Sequence, residues 1–325
     1  MRKLGMAVIG VGFWGRNHAR VLNSLERAEL IAVCDLDRRR AEEVAATYGA
    51  EAYTDSSELL RRDDVEAVTI CTWSTVLARE AERALRAGKH VLVEKPMAKT
   101  LEEARELVEL AGREDLALAV GFVERFNPGF QRVRELISSG RLGELLTVVA
   151  QRLSRWPKRP WDVGVVKDLA IHDLDLTVNL MGELPRAVYA HVSRVRRRDL
   201  DDRATIMLEF SGGPVGIVEA NWLTPYKVRA LRVIGSEGIL NLDYLSQRVV
   251  LEGQSGRAEL AGEWREPLRL ELEHFVSCVL EGREPMVSGR DGLIALSLCE
   301  AALRSSSERR PVDVAGFLRR AGIQL

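Results

Sequence analysis

Three side chains in this sequence are suited to taking a proton from an alcohol: Lys95, in Glu94-Lys95-Pro96, and the pair Asp168 and His172, in a run from Lys167 to Asp175. A histidine titrates near neutrality, so it can accept a hydroxyl proton and return it. Read as a helix, the run puts Asp168 and His172 four residues apart on one face, where the carboxylate can orient the imidazole and stabilise its charged form. Lys95 follows the apolar stretch Val91–Val93, at the end of a strand where open α/β sheets bind ligands. Its ammonium can hold a reacting oxygen and stabilise developing negative charge there. Taken singly, each has a plainer reading: a surface lysine, a helix-capping aspartate, a buried histidine bonded to backbone. Asp173 and Asp175 read as partners of the early-turn helix dipole or as packing-edge residues.

What joins the three is a dinucleotide signature. Gly10-Val11-Gly12-Phe13-Trp14-Gly15 follows an apolar strand and opens a helix. The first glycine permits the tight turn, the second lets backbone approach a pyrophosphate, and the third allows close helix-to-strand packing. Asp35 ends the next strand, 20 residues after Gly15, where a carboxylate accepts hydrogen bonds from ribose hydroxyls. It would repel a 2'-phosphate, so the expected cofactor is NAD, with NADP the lesser alternative. Arg38, Arg39 and Arg40 could hold such a phosphate but read as a solvated first helical turn. The expected cofactor-binding set is Gly10, Gly12, Phe13, Trp14, Gly15, Asp35, Thr72, Trp73, Glu94 and Lys95.

The elements around these residues form two patterns. To about Phe122, short β-branched runs (Met6–Ile9, Leu30–Cys34, Ala67–Cys71, Val91–Val93, Leu116–Val120) alternate with helical segments, the mark of a parallel α/β sheet. Asp37 and Gly49 bracket one helix, and Thr100 with Glu103 makes a capping box for another. Beyond Phe122, a helix after Asn127-Pro128 gives way to longer strands near 145–153, 187–195, 205–210, 215–221, 231–234, 239–242 and 249–251, with a hairpin turn at Ser211–Pro214. Helical patterns return at 268–280 and 291–305, the last of which could pack back on the first domain. The expectation is a doubly wound parallel sheet of Rossmann type over residues 1–122. An α/β domain with a large open, mostly antiparallel sheet for substrate binding and oligomerisation should follow over 123–325.

At 325 residues, 46% hydrophobic and 29% charged, the chain can bury two cores. Its 47 Lys plus Arg against 48 Asp plus Glu leave a net charge of -1, so no global field draws it to nucleic acid or a membrane surface. The basic run Arg194–Arg198 lies beside Asp199, Asp201 and Asp202 and reads as a solvated strand end. Cys34, Cys71, Cys278 and Cys299 have neither metal-ligand nor disulfide-scaffold spacing, so no metal is expected. Without a signal-peptide core or a membrane-length apolar run, the expected location is the cytoplasm.

In order, the glycine fingerprint, Asp35, Glu94-Lys95-Pro96 and the Asp168–His172 pair resemble the Gfo/Idh/MocA oxidoreductase family over essentially the whole chain. The resemblance implies a Rossmann domain followed by an open-sheet domain, self-association as a homodimer or homotetramer, and Lys95, Asp168 and His172 as catalytic residues. Within the family, the segments Gly121–Pro128, Asp162–Val166 and Asp168–Asp173 are similar to UDP-N-acetylglucosamine 3-dehydrogenases. That implies oxidation of the 3-hydroxyl of a nucleotide sugar, a small-molecule substrate. Besides Lys95, Asp168 and His172, the expected substrate contacts are Arg125, Asn127 and Arg159, the arginines matching a diphosphate; Arg155 and Lys158 are weaker candidates. The chain departs from the family at Trp73, which would pack on the cofactor, at Leu77, which removes a polar contact, and at Phe122, which would reshape the sugar pocket. Either His172 or Lys95 is the proton acceptor. Alternatives are a dehydrogenase of a free sugar, inositol or sugar acid, an NAD-dependent glycosidase, and a non-catalytic NAD sensor.

Overall fold

A computed structural model describes residues 2–157, 162–196, 198–254, 256–260 and 262–323. The chain forms two compact units, Met1–Val123 with Glu266–Leu293, and Glu124–Arg265 with Ile294–Leu325.

In the first unit, strands β1 (Leu4–Ile9), β2 (Ala28–Cys34), β3 (Glu51–Tyr53), β4 (Ala67–Ile70), β5 (His90–Val93) and β6 (Leu118–Val120) alternate with helices α1 (Phe13–Ser24), α2 (Arg38–Tyr48), α3 (Ser56–Leu59), α4 (Leu77–Arg86) and α5 (Leu101–Arg113). The sheet is parallel in the order β3-β2-β1-β4-β5-β6. Its order reverses between β1 and β4, the switch point where such sheets bind ligands. β1 is buried at every position, because helices cover both faces of a parallel sheet. β3 carries no apolar run, and its two exposed residues explain why periodicity misses it. Asp37 and Gly49 cap α2 as expected, Gly49 with φ 71°, and Thr100 and Glu103 form the capping box of α5.

The second unit opens with a 3-10 turn (Val123–Phe126) and α6 (Pro128–Ser138), then β7 (Leu145–Leu153). A π-turn (Val166–Ala170) runs into α7 (Ile171–Met181). Strands β8 (Ala187–Ser193), β9 (Arg203–Glu209), β10 (Val215–Asn221), β11 (Val228–Gly235), β12 (Gly238–Asp243), β13 (Arg248–Gly253) and β14 (Gly256–Leu260) follow. The chain ends in α8 (Pro267–Glu281), α9 (Gly289–Glu308), β15 (Val312–Asp313) and α10 (Val314–Arg320). The nine-stranded sheet has the order β14-β13-β12-β11-β7-β10-β9-β8-β15 and is antiparallel except where β7 meets β10. β14 is an exposed edge without apolar alternation and β15 has two residues, so neither is legible as a strand.

A single cut after Phe122 misses one return of the chain. The helix that comes back to the first unit is α8 and not the later pattern at 291–305: Leu268, Leu272, Phe275 and Val276 join Leu22, Val21 and Met6 in one core. Their three- and four-residue spacing puts all four on one stripe of α8, and Arg27 on Glu281 (2.8 Å) ties its far end. Each such side chain, fully buried, contributes about 1.5–3 kcal/mol relative to exposure.

Candidate functional site

The glycine turn is closed toward the protein and open outward. A Cβ at Gly10 would lie 2.9 Å from the Cys71 backbone, and one at Gly15 would lie 1.8 Å from the Gly10 carbonyl oxygen; at Gly12 it would meet nothing within 4 Å. Gly10 also has φ 86°, which a side chain would strain. Gly12 is the N-cap of α1 and supplies no side-chain cap, so the first amides of the helix keep their bonding capacity for an anion. Phe13 stands exposed at the helix start. Asp35 accepts from the amides of Val11 and Asp37 (3.0 Å each) and from Arg40 Nη1 (3.1 and 3.2 Å). Arg40 is therefore not simply solvated: it is bonded to the carboxylate expected on the ribose. An open second glycine, uncapped amides and a carboxylate at the tip of β2 together fit a dinucleotide.

Glu94 and Trp14 turn out to serve the interior. Glu94 Oε1 accepts from the indole N–H of Trp14 and lies 3.2 Å from Nε2 of fully buried His18, while Oε2 accepts from the amide of Lys95 (3.3 Å). A Cβ at Gly121 would come within 2.7 Å of Glu94 Oε1, so Gly121 is the space the carboxylate occupies. The polar atoms of Glu94 and Trp14 are bonded to each other, which ties α1 to the end of β5. The 3.6-residue period offers the signal, since Trp14 and His18 lie one turn apart. Lys95 itself is half-buried and joined to Pro96 by a cis peptide bond. Thr72 is half-buried, Trp73 exposed, and Leu77 buried at the start of α4, where it packs instead of facing a polar ligand. Phe122 is buried.

In the second unit, Asp168 lies in the π-turn and His172 in the first turn of α7, 5% and 8% exposed. A π-turn within a helix is frequent at functional positions. Asp201 accepts from the amide of Val166 (2.8 Å) at the start of that turn, and a Cβ at Gly164 would collide with its carboxylate. Asp202, fully buried, accepts from the amides of Val195 and Arg196 (2.9 and 2.6 Å). Both aspartates are thus structural caps, a correction to their reading as solvating charges. Burial pushes the Asp201 carboxyl up from its ordinary value.

Beneath the pair lies a tier of buried ion pairs. Arg152 is bidentate on Asp173 (2.9 Å twice), bonds Glu124 (3.1 Å), and stacks over the Tyr244 ring. Burial opposes its charge, but Asp173 and Glu124 outweigh that and hold its pKa above the ordinary value. Arg125 is bidentate on Asp175 (2.7 and 2.6 Å). These contacts give three sets of residues internal partners. Asp173 and Asp175 are buried counter-charges, and Arg125 is bonded to a carboxylate where a diphosphate was the expected partner. Asn127, the third, caps α6 through the Gly129 amide (3.0 Å) and donates to Tyr244 O and Glu124 (3.0 and 3.1 Å). Arg152 has a signal in the sequence: it continues the inward period of Val148 and Ala150 on β7, and an inward arginine demands carboxylates. Arg155 donates to the Pro225 carbonyl. Arg159 and Lys158 lie outside the described residues. No described helix is long and apolar enough to cross a membrane.

Comparison with known proteins gives the family of the chain. Residues 4–122 match a family profile described as an oxidoreductase family with an NAD-binding Rossmann fold, and residues 130–241 match the C-terminal domain of the same family. An inositol 2-dehydrogenase of Rhizobium meliloti (strain 1021) is 32% identical, aligned over 95% of this chain and 98% of its own. A UDP-N-acetylglucosamine 3-dehydrogenase of Acidithiobacillus ferrooxidans (strain ATCC 23270) is 31% identical over 96% of this chain and 98% of its own. A solved structure of UDP-N-acetylglucosamine 3-dehydrogenase GnnA from Acidithiobacillus ferrooxidans superposes with a TM-score of 0.87 at 30% identity, covering 94% of this chain and 99% of that one. GenD2 from gentamicin A biosynthesis, solved in complex with NAD, superposes with a TM-score of 0.87 at 28% identity, covering 96% and 97%.

Proposed function

Because the chain belongs to the Gfo/Idh/MocA family of NAD-dependent oxidoreductases, we propose that it oxidises a secondary ring hydroxyl of a nucleotide-linked sugar to a ketone, with the 3-hydroxyl of UDP-N-acetylglucosamine as the first case. The observation that carries the reading is the nearly buried pair Asp168, in the π-turn, and His172, in the first turn of α7, in a chain whose first unit has a glycine turn with a ribose-type carboxylate.

NAD, when bound, supplies the acceptor for the hydrogen and electron pair leaving carbon. Amides at the start of α1 hold its pyrophosphate, and Asp35 its ribose hydroxyls. A ring nitrogen of His172 takes the hydroxyl proton, the step for which an imidazole is suited at neutral pH. Lys95, at the end of β5, is the other candidate proton acceptor; its ammonium is suited to holding an oxygen as negative charge grows on it. Asp168 acts as a carboxylate that orients His172 or a neighbouring sugar hydroxyl. The buried pairs Arg152–Asp173 and Arg125–Asp175 brace α7, so His172 is held on a rigid element.

A second reading, a free cyclic polyol such as inositol, is favoured by one observation: the guanidinium of Arg125, a group suited to a diphosphate, is taken by Asp175. The inositol relatives point the same way. Purified protein with NAD and a panel of UDP-sugars, myo-inositol and free sugars, with the product identified, separates the two. His172→Ala should lower turnover on the accepted substrate by about a hundredfold or more. Near-normal turnover of that variant would remove His172 from the proton path.

We also take the chain to act in the cytoplasm as a homodimer or homotetramer. Tyr189, Met207, Ile217 and Val149 lie opposite one another on β8, β9, β10 and β7 in a transverse row on the less covered face of the sheet, with Tyr189 44% and Met207 42% exposed. Such an apolar row is a ready surface for a second copy.

A further inference from the structure

The end of β7 and the start of β11 bring two arginines face to face. Arg152 and Arg229 are register partners, and strand alternation turns both to the covered face, Arg152 with Val148 and Ala150, Arg229 with Leu231 and Val233. Like charges directly opposite each other are unfavourable, so each needs compensation. Arg152 has it in Asp173 and Glu124. Arg229, 9% exposed, does not: its Nη1 donates to the carbonyls of Leu153 and Val228 (2.9 Å each), and among the described residues no carboxylate stands in ion-pair contact with it. Two carbonyls orient a guanidinium without neutralising it, and they engage one nitrogen of a group with five donors. Lys227, two residues earlier and exposed, also has no carboxylate in ion-pair contact among the described residues.

The electrostatics agree. Burial, then Arg152, brings the Arg229 pKa down to about 10, while Asp173, Glu124 and Asp168 act in the opposite direction without restoring it. Partial burial, then Arg229, pulls the Lys227 ammonium down as well. A buried cation without a counter-charge is costly, and an arriving anion removes that cost. Arg152, the register partner of Arg229, is bidentate on Asp173, the residue after His172, so the chain of contacts from Arg229 leads to the pair proposed above for proton transfer.

We propose that Arg229 and Lys227 form an anion subsite on the Asp168 side of the second unit, which takes the carboxylate or phosphate group of the substrate. The proposal rests on the reading of Asp168 and His172 as the substrate site, and narrows it to acidic sugars: sugar acids, or sugars bearing a phosphate or diphosphate. Arg229 supplies the planar fork and Lys227 a mobile point charge.

The test is calorimetric titration of the protein saturated with NADH, using inorganic pyrophosphate in one arm and malonate in the other. At least one should bind, with the arm that binds tighter telling phosphate from carboxylate. Arg229→Gln and Lys227→Gln should each weaken that binding by about tenfold or more, with folding checked by thermal melting. Should R229Q not fold, K227Q decides, since Lys227 is exposed. On the acidic substrate the KM should rise by about tenfold while kcat falls much less, the pattern of lost binding common to ground and transition states. Failure of both anions to bind, or wild-type binding by the folded variants, overturns the subsite. A protein that oxidises myo-inositol yet binds neither anion keeps its dehydrogenase reading and loses the subsite. One that binds anions through these residues but oxidises no alcohol keeps the subsite and loses the dehydrogenase reading.

Discussion

Asp35 shows how one carboxylate can do two jobs at the cofactor end. It closes the glycine turn by accepting from the Val11 amide, and it holds the Arg40 guanidinium. Replacing Asp35 with Ser removes the repulsion toward a 2'-phosphate and releases Arg40 to bind one. The NAD-to-NADP ratio of kcat/KM should therefore fall by at least about tenfold, a change of about 1.4 kcal/mol; parallel kinetics with both cofactors check it, and an unchanged ratio would show that Arg40 does not reach the phosphate. Asp35 and the glycines were legible because their spacing is set by local geometry, one turn and one strand long. The partners of Arg125, Asp173 and Asp175 were not, since they lie 50, 21 and 50 residues away, too far for any local pattern to register.

Joints between elements in the first unit depend on uncharged imidazoles. His90, at the start of β5, accepts from the Ala117 amide through Nδ1 (3.0 Å), and His274 of α8 accepts from the Met286 amide through Nε2 (2.9 Å). A protonated ring could not accept there, and burial lowers both pKa values, with Arg283 adding to the effect at His274. Folded pKa values below the unfolded value mean that the unfolded chain binds protons more readily. Stability from these joints is therefore complete above about pH 6.5 and is lost progressively as pH falls from there toward the lowered folded values. Melting temperature should drop between about pH 7.5 and about pH 5.5, and His90→Gln, whose amide oxygen can still accept, should flatten part of that slope. A slope identical in the variant would assign the loss to other groups. The capped helices α2 and α5 were readable from Asp37, Gly49, Thr100 and Glu103, because a cap is a contact over three residues. β3, β14 and β15 were not, because short or exposed edge strands bury no alternating face.

For the assembled molecule, the row Tyr189–Met207–Ile217–Val149 makes a further prediction. Met207→Glu puts a charge in the middle of that row, where burial against a second copy would leave it unpaired. Sedimentation at micromolar concentration should find an oligomer for the natural chain and a monomer for M207E, while an unaltered oligomer in the variant would move the interface elsewhere. The sheet that presents this row is mixed, with β7 and β10 parallel at its centre, a pairing that strand patterns alone do not announce.

From the residue order alone came the two-part α/β architecture, the dinucleotide turn, Asp35 as its carboxylate, and the candidates Lys95, Asp168 and His172. The architecture and the turn follow from short-range periodicity and spacing, whereas the three candidates stand together only through the family resemblance. Folding decided what the remaining charges are for: His18 and Trp14 on Glu94, Arg125 on Asp175, Arg152 between Asp173 and Glu124, and Arg229 on the carbonyls of Leu153 and Val228. The reason is that a buried charge takes its meaning from its partner, and which partner it meets depends on strand order and register across the sheet.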